Sequence, residues 1–142
     1  MKNLIDAGTN IPVTVEANGT IPMTTIVRRF NRTKAVSEIN INANSVIIDT
    51  KTCCQPRYNV WATITFTAPV AGDVTFSIYQ DGVVIPLATA TATVTTAETQ
   101  VITLPLKTSI KAKGCATSAI SIVNTGAVAV DIVNANILVI ED

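Results

Sequence analysis

Tyr58-Asn59-Val60-Trp61-Ala62-Thr63-Ile64-Thr65-Phe66-Thr67-Ala68 is the stretch that decides the fold class. Its even positions Tyr58, Val60, Ala62, Ile64 and Phe66 are apolar; Asn59, Thr63, Thr65 and Thr67 are polar, with Trp61 the exception. Successive side chains of a strand point to opposite faces, so a period of two describes a strand with one face in a core. Pro69 and Gly72-Asp73 then mark a turn. The parity resumes with Val74, Phe76 and Ile78 against Thr75, Ser77 and Tyr79. Asp81-Gly82 signals a hairpin, because both central positions of a type I′ turn need positive φ.

Working outward, Ala88 to Thr95 alternates small apolar residues with threonine. Threonine at alternate positions favours a strand over a helix, and small inward residues imply a close facing sheet. Further strands are expected at Gln100 to Leu106, Thr117 to Asn124, Val128 to Val133 and Asn136 to Ile140. Before Tyr58 the pattern weakens, with candidates at Ile11 to Val15, Ile21 to Val27, Val36 to Ile41 and Val46 to Ile48. No amphipathic helix longer than two turns is evident. Many short strands about ten residues apart define an all-β sandwich or barrel, and a jelly roll suits this length.

The 142 residues suit one domain and carry ten basic and ten acidic side chains. Zero net charge gives no domain-wide attraction to nucleic acid or to an anionic membrane. Charged residues are only 14% of the chain, which points to a surface covered by another chain or made polar by threonine and asparagine. Met1-Lys2-Asn3-Leu4-Ile5-Asp6 has no apolar signal core, so a secretory route is not expected. The sequons at Asn18 and Asn31 are therefore read as coincidental.

Histidine is absent, which removes the commonest general base and metal ligand. Ser–His–Asp and Cys–His sites are excluded with it, and no phosphate-binding loop is present. The carboxylates fall mainly in turns, near strand ends or at the C-terminus, with no two alternating along one strand. They read as solvated charges rather than a glycosidase pair. No cofactor is expected.

Cys53, Cys54 and Cys115 make an odd count, which argues against a disulfide framework. A single bond from Cys115 to Cys53 or Cys54 stays open. A three-thiolate metal site would lack a fourth ligand, and the preferred reading is small buried hydrophobes near a strand end. Arg28, Arg29, Arg32 and Lys34, with Phe30 interleaved, read as a nucleic-acid contact, a docking contact to an acidic protein surface, or a solvated loop. Trp61 and Tyr79 each leave the core face of their strands, and Val123 shares their parity. Large aromatics on an outer sheet face suggest a subunit interface formed by Trp61, Tyr79 and Val123.

The phrases Tyr58 to Pro69, Gly72 to Gly82, and Gly114-Cys115-Ala116-Thr117 leading to Ala119-Ile120-Ser121-Ile122-Val123-Asn124 resemble the TNF-like and C1q-like jelly rolls of tailed-bacteriophage structural proteins. The resemblance spans about the last 85 residues. It implies a homotrimer around a threefold axis and brings no catalytic residues. It also implies a division into an N-terminal extended segment, 1–45, and a jelly-roll domain, 46–142. The basic cluster would anchor the N-terminal segment to a major capsid or other virion protein. The expected role is a non-enzymatic capsid decoration or head-fibre subunit, made in the host cytoplasm and carried on the particle surface. The alternatives are a receptor- or carbohydrate-binding tail domain and, least favoured, a carboxylate-dependent glycan hydrolase. No collagen-like repeat is present, which disfavours a spore or matrix role.

Overall fold

The computed structural model describes residues 2–32 and 35–142. Eleven strands run in order: β1 (Leu4–Thr9), β2 (Val13–Val15), β3 (Thr25–Phe30), β4 (Ala35–Asn40), β5 (Ser45–Thr50), β6 (Arg57–Thr67), β7 (Gly72–Gln80), β8 (Val83–Val94), β9 (Ile102–Lys111), β10 (Thr117–Asn124) and β11 (Val130–Glu141). They form two antiparallel sheets. One has the order β3-β1-β11-β6-β9, with β2 also paired to β11; the other is β4-β5-β10-β7-β8. This is a jelly-roll sandwich. Among the described residues, no helix is long and apolar enough to cross a membrane.

The parity of the Tyr58 stretch sets which side is inside. Tyr58, Val60, Ile64 and Phe66 on β6 face Val74, Phe76 and Ile78 on β7, all fully buried. The rings of Phe66 and Phe76 meet edge-on between the sheets, with centroids 5.4 Å apart, an arrangement aromatic quadrupoles favour. Ala88, Ala90 and Ala92 on β8 face inward as their small size implies, while Thr89, Thr91 and Thr93 face out. Those outward groups bond across the pair: Thr91 to Thr75 at 2.9 Å, Thr89 to Ser77 at 2.8 Å and Thr93 to Asp73 at 2.8 Å. Asp81 and Gly82 close the β7–β8 hairpin with φ of 53° and 79°, as the turn signal requires.

The division at residue 45 does not hold. β1 lies between β3 and β11 in the first sheet, and β4 and β5 supply the edge of the second. The described strands before residue 45 are thus part of the sandwich, and β1 covers an edge of β11 that would otherwise leave its hydrogen-bonding groups open. β1 escapes pattern reading because Leu4-Ile5-Asp6-Ala7-Gly8-Thr9 puts an acid and a glycine among its outward positions. Each has a local reason. Asp6 accepts from Asn136 Nδ2 and pairs with Arg28 at 3.4 Å. At Gly8 a Cβ would lie 2.0 Å from the Ala135 carbonyl oxygen.

The two strands expected after Val128 are one. β11 passes through Val133 by a register shift between Ile132 and Asn134 against β6. A bulge adds one residue to one strand and flips the apparent parity of the residues beyond it. The sheets are also tied at one end by Asn3, which is fully buried. Its Nδ2 donates to the Ala35 carbonyl at 2.7 Å, its Oδ1 accepts from Ser37 Oγ, and its N–H donates to Glu141 Oε2 at 3.1 Å.

Candidate functional site

Two outer sheet faces and one disulfide-linked end carry the residues singled out from the sequence. Trp61 is half-exposed, at 50%, on the outer face of the six-stranded sheet. Strand register places it beside Leu138 of β11 and Lys107 of β9. Lys107 Nζ sits 4.5 Å from the Trp61 ring centroid, a cation–π contact. One step along the sheet, Ile140 pairs with Leu4, and Leu4 with Phe30. Leu4, Phe30, Leu138, Ile140 and Trp61 therefore form a transverse apolar band across four strands.

Tyr79 and Val123 do not join this band. Both lie on the opposite sheet, on β7 and β10, so a single surface through Trp61, Tyr79 and Val123 does not exist. Parity told which residues leave the core, but not on which of the two outer faces they emerge. Val123 is only 7% exposed, because its own chain covers it. Thr20 bridges to Val123, and the Ile21 N–H donates to the Ile122 carbonyl at 2.9 Å. Little of Val123 is left open, and what remains faces the same outer surface as Tyr79.

The basic cluster also separates. Arg28 and Arg29 belong to the edge strand β3, not to a loop. Arg28 turns to Asp6 on the outer face, while Arg29 pairs in register with the inward Ile5 at the sheet edge. Arg32 Nη2 lies 2.8 Å from Glu141 Oε1. Lys34 lies outside the described residues. Asp6 and Glu141, expected to be solvated, are instead largely covered, with side chains 15% and 11% exposed.

Beside the Arg32–Glu141 pair, the Tyr58 hydroxyl is buried and has no hydrogen-bond partner among the described residues. Burial, then the Glu141 charge, raises its pKa from 10.0 to about 12 against the opposing pull of Arg32. The cause is desolvation of a phenolate.

The cysteines are not buried hydrophobes. All three residues are exposed; Cys53 and Cys115 are joined by a disulfide, and Cys54 is free. The bond links the β5–β6 loop to the β9–β10 loop. The same loops share backbone hydrogen bonds from Cys115 N–H to the Thr52 carbonyl (2.7 Å) and from Ala112 N–H to the Pro56 carbonyl (2.9 Å). A Cβ at Gly114 would meet the Cys53 carbonyl oxygen at 2.6 Å, so the loops approach too closely for another residue there. Among the described residues, no group of three or more His, Cys, Asp or Glu is placed to hold a metal ion.

A groove that sequence reasoning missed lies on the outer face of the five-stranded sheet. It encloses about 480 Å³, with Tyr79, Ser45 and Ser121 among its lining and walls at Asn18–Thr20 and Asp81–Gly82. Its early signals were Tyr79 leaving the core face and Val123 sharing that parity; the structure brings both to this groove.

The fold so built is the TNF/C1q-like jelly roll. Murine APRIL shares it at a TM-score of 0.69 with 7% identity, over all of both chains. The Eiger TNF of S. frugiperda does so at 0.63 with 9% identity, covering 99% of this chain and 93% of that one. The globular domain of zebrafish complement 1qA protein aligns at 0.52 with 8% identity, covering 97% and 94%. No family model and no curated protein matches the chain.

Proposed function

We propose that this chain is a non-enzymatic structural subunit that works as a homotrimer and is carried on the surface of a tailed-bacteriophage particle, as a capsid decoration or head-fibre subunit. The observation that supports the trimer is the apolar band on the six-stranded sheet. Trp61 and Phe30 are 50% and 45% exposed there, flanked by Leu4, Leu138 and Ile140. Apolar surface with an exposed aromatic at each end, bordered by the charged pair Asp6 and Arg28, has the composition of an interface core with a polar rim. A second copy covers it.

The particle role rests on the phrases Tyr58 to Gly82 and Gly114 to Asn124. The exposed Cys53–Cys115 disulfide fits an exterior surface, since cytosolic thiols are held reduced. A chain made in the host cytoplasm would close that bond after release. Of the basic cluster, Arg29 is exposed and, among the described residues, without a salt-bridge partner, so it is the one offered for docking to a virion protein; Arg28 pairs with Asp6 and Arg32 with Glu141. Purified particles of a phage carrying this gene should contain the chain in multiples of three copies per site. Its absence from washed particles would refute the role.

A further inference from the structure

The groove on the five-stranded sheet lies on the face opposite Trp61, so the inference drawn from it goes beyond the trimer reading and does not rest on it. Its floor is Ala119 and Ser121 of β10, and Tyr79 of β7 stands in register with Ser121. Ser45 of β5 closes the far side.

Both walls are held firmly. Asn18, with φ of 65°, donates its N–H to the Asn124 carbonyl at 2.7 Å, and the Asn124 N–H returns to the Gly19 carbonyl at 2.9 Å. Asn124 Nδ2 is within hydrogen-bond range of the carbonyls of Val15, Glu16 and Val128, at 3.2, 3.4 and 2.9 Å, beneath that wall. At the other wall Asp81 accepts from the Ala119 N–H at 2.9 Å and pairs with Lys113 Nζ at 3.2 Å. The groove is thus preformed, as small-molecule sites usually are.

Its chemistry is specific. Among the described residues Asp81 is the only charged one in the lining, and its charge is matched by Lys113. What is left is a half-buried aromatic ring, the small apolar side chains of Ala43, Ala119 and Val123, an amide, and the hydroxyls of Thr20, Ser45 and Ser121. Ser45 is 4% exposed, and its Oγ has no hydrogen-bond partner among the described residues. Buried hydroxyls are normally paired, so this one marks a polar contact the chain does not itself supply. A ligand suited to this lining needs an apolar face for the ring, hydroxyls that both donate and accept, and no charge. We infer that the groove binds a short neutral saccharide, with one sugar ring stacked on Tyr79 and its hydroxyls bonded to Ser121, Asn18 and Ser45.

The test is titration of the ¹⁵N-labelled full chain with glucose, galactose, mannose, N-acetylglucosamine and their common disaccharides. At least one should give saturable amide shifts confined to Asn18, Gly82, Ala119 and Ser121. Tyr79→Ala should weaken that binding at least tenfold, and Ala43→Trp, which fills the groove from an exposed turn, should abolish it even if Tyr79→Ala folds poorly. Trp61→Ala on the other sheet should leave it unchanged. No saturable shift with any sugar, shifts on another face, or full affinity in Ala43→Trp would overturn the assignment.

Discussion

Replacing Cys53 and Cys115 by alanine, in a chain whose Cys54 is serine to prevent reshuffling, should destabilise the sandwich without unmaking it. The disulfide spans 62 positions of sequence. Closing a loop of that length removes denatured-state entropy equivalent to about 4 kcal/mol at room temperature. The folded side changes little, because the two loops remain joined by the hydrogen bonds of Cys115 N–H to Thr52 and Ala112 N–H to Pro56. Urea titration followed by Trp61 fluorescence reads the effect directly. With a slope of about 2 kcal/mol per molar urea, the midpoint should fall by about 2 M. The slope itself should rise slightly, because an unlinked denatured chain exposes more surface. Equal midpoints for the linked chain and the variant, or two reactive thiols in the air-oxidised Cys54→Ser chain, would refute the reasoning.

Alkaline pH offers an independent check. Tyr58 is raised to about 12 in the folded chain against 10.0 when exposed. Its contribution is therefore complete below pH 10 and lost as pH climbs toward 12, by about 2–3 kcal/mol across the window; Tyr58→Phe should flatten that fall in pH-dependent urea melts, and an unchanged slope would count against it. Gly8→Ala should cost about 1–3 kcal/mol, because its Cβ would meet the Ala135 carbonyl oxygen at 2.0 Å; a melting temperature equal to the parent's would show that the β1–β11 approach is looser than described. Phe66→Ala should cost about 3–5 kcal/mol through loss of the contact with Phe76, read as a lowered denaturation midpoint. Trp61→Ala should leave the monomer's melting intact while weakening self-association by about 2 kcal/mol or more, visible as a concentration-dependent mass.

The all-β class was legible because β6, β7 and β8 each bury one face, and one buried face writes a period of two into the sequence. The same logic failed at β1, whose outward Asp6 and Gly8 are explained only by Asn136, Arg28 and Ala135, residues distant in sequence. It failed again at Val133, where a bulge broke one strand's parity into two. The site was legible by residue but not by place. Alternation shows that Trp61 and Tyr79 leave the core, whereas their assignment to opposite sheets depends on strand order, which no local pattern encodes. The cysteines misled for a related reason. Their types suggested burial, but the pairing of Cys53 with Cys115 depends on two loops meeting at one end of the sandwich. The groove beside Tyr79 is built by Asn18, Ser45 and Ser121 from three separate segments, so no contiguous motif announces it.

The central claim is that the Trp61 face is covered by copies of the same chain. Light scattering coupled to size-exclusion chromatography at micromolar concentration tests it most directly. The account predicts a single species of about 45 kDa, three times the 15.0 kDa of one chain. A species of one chain mass at the same concentration would contradict it.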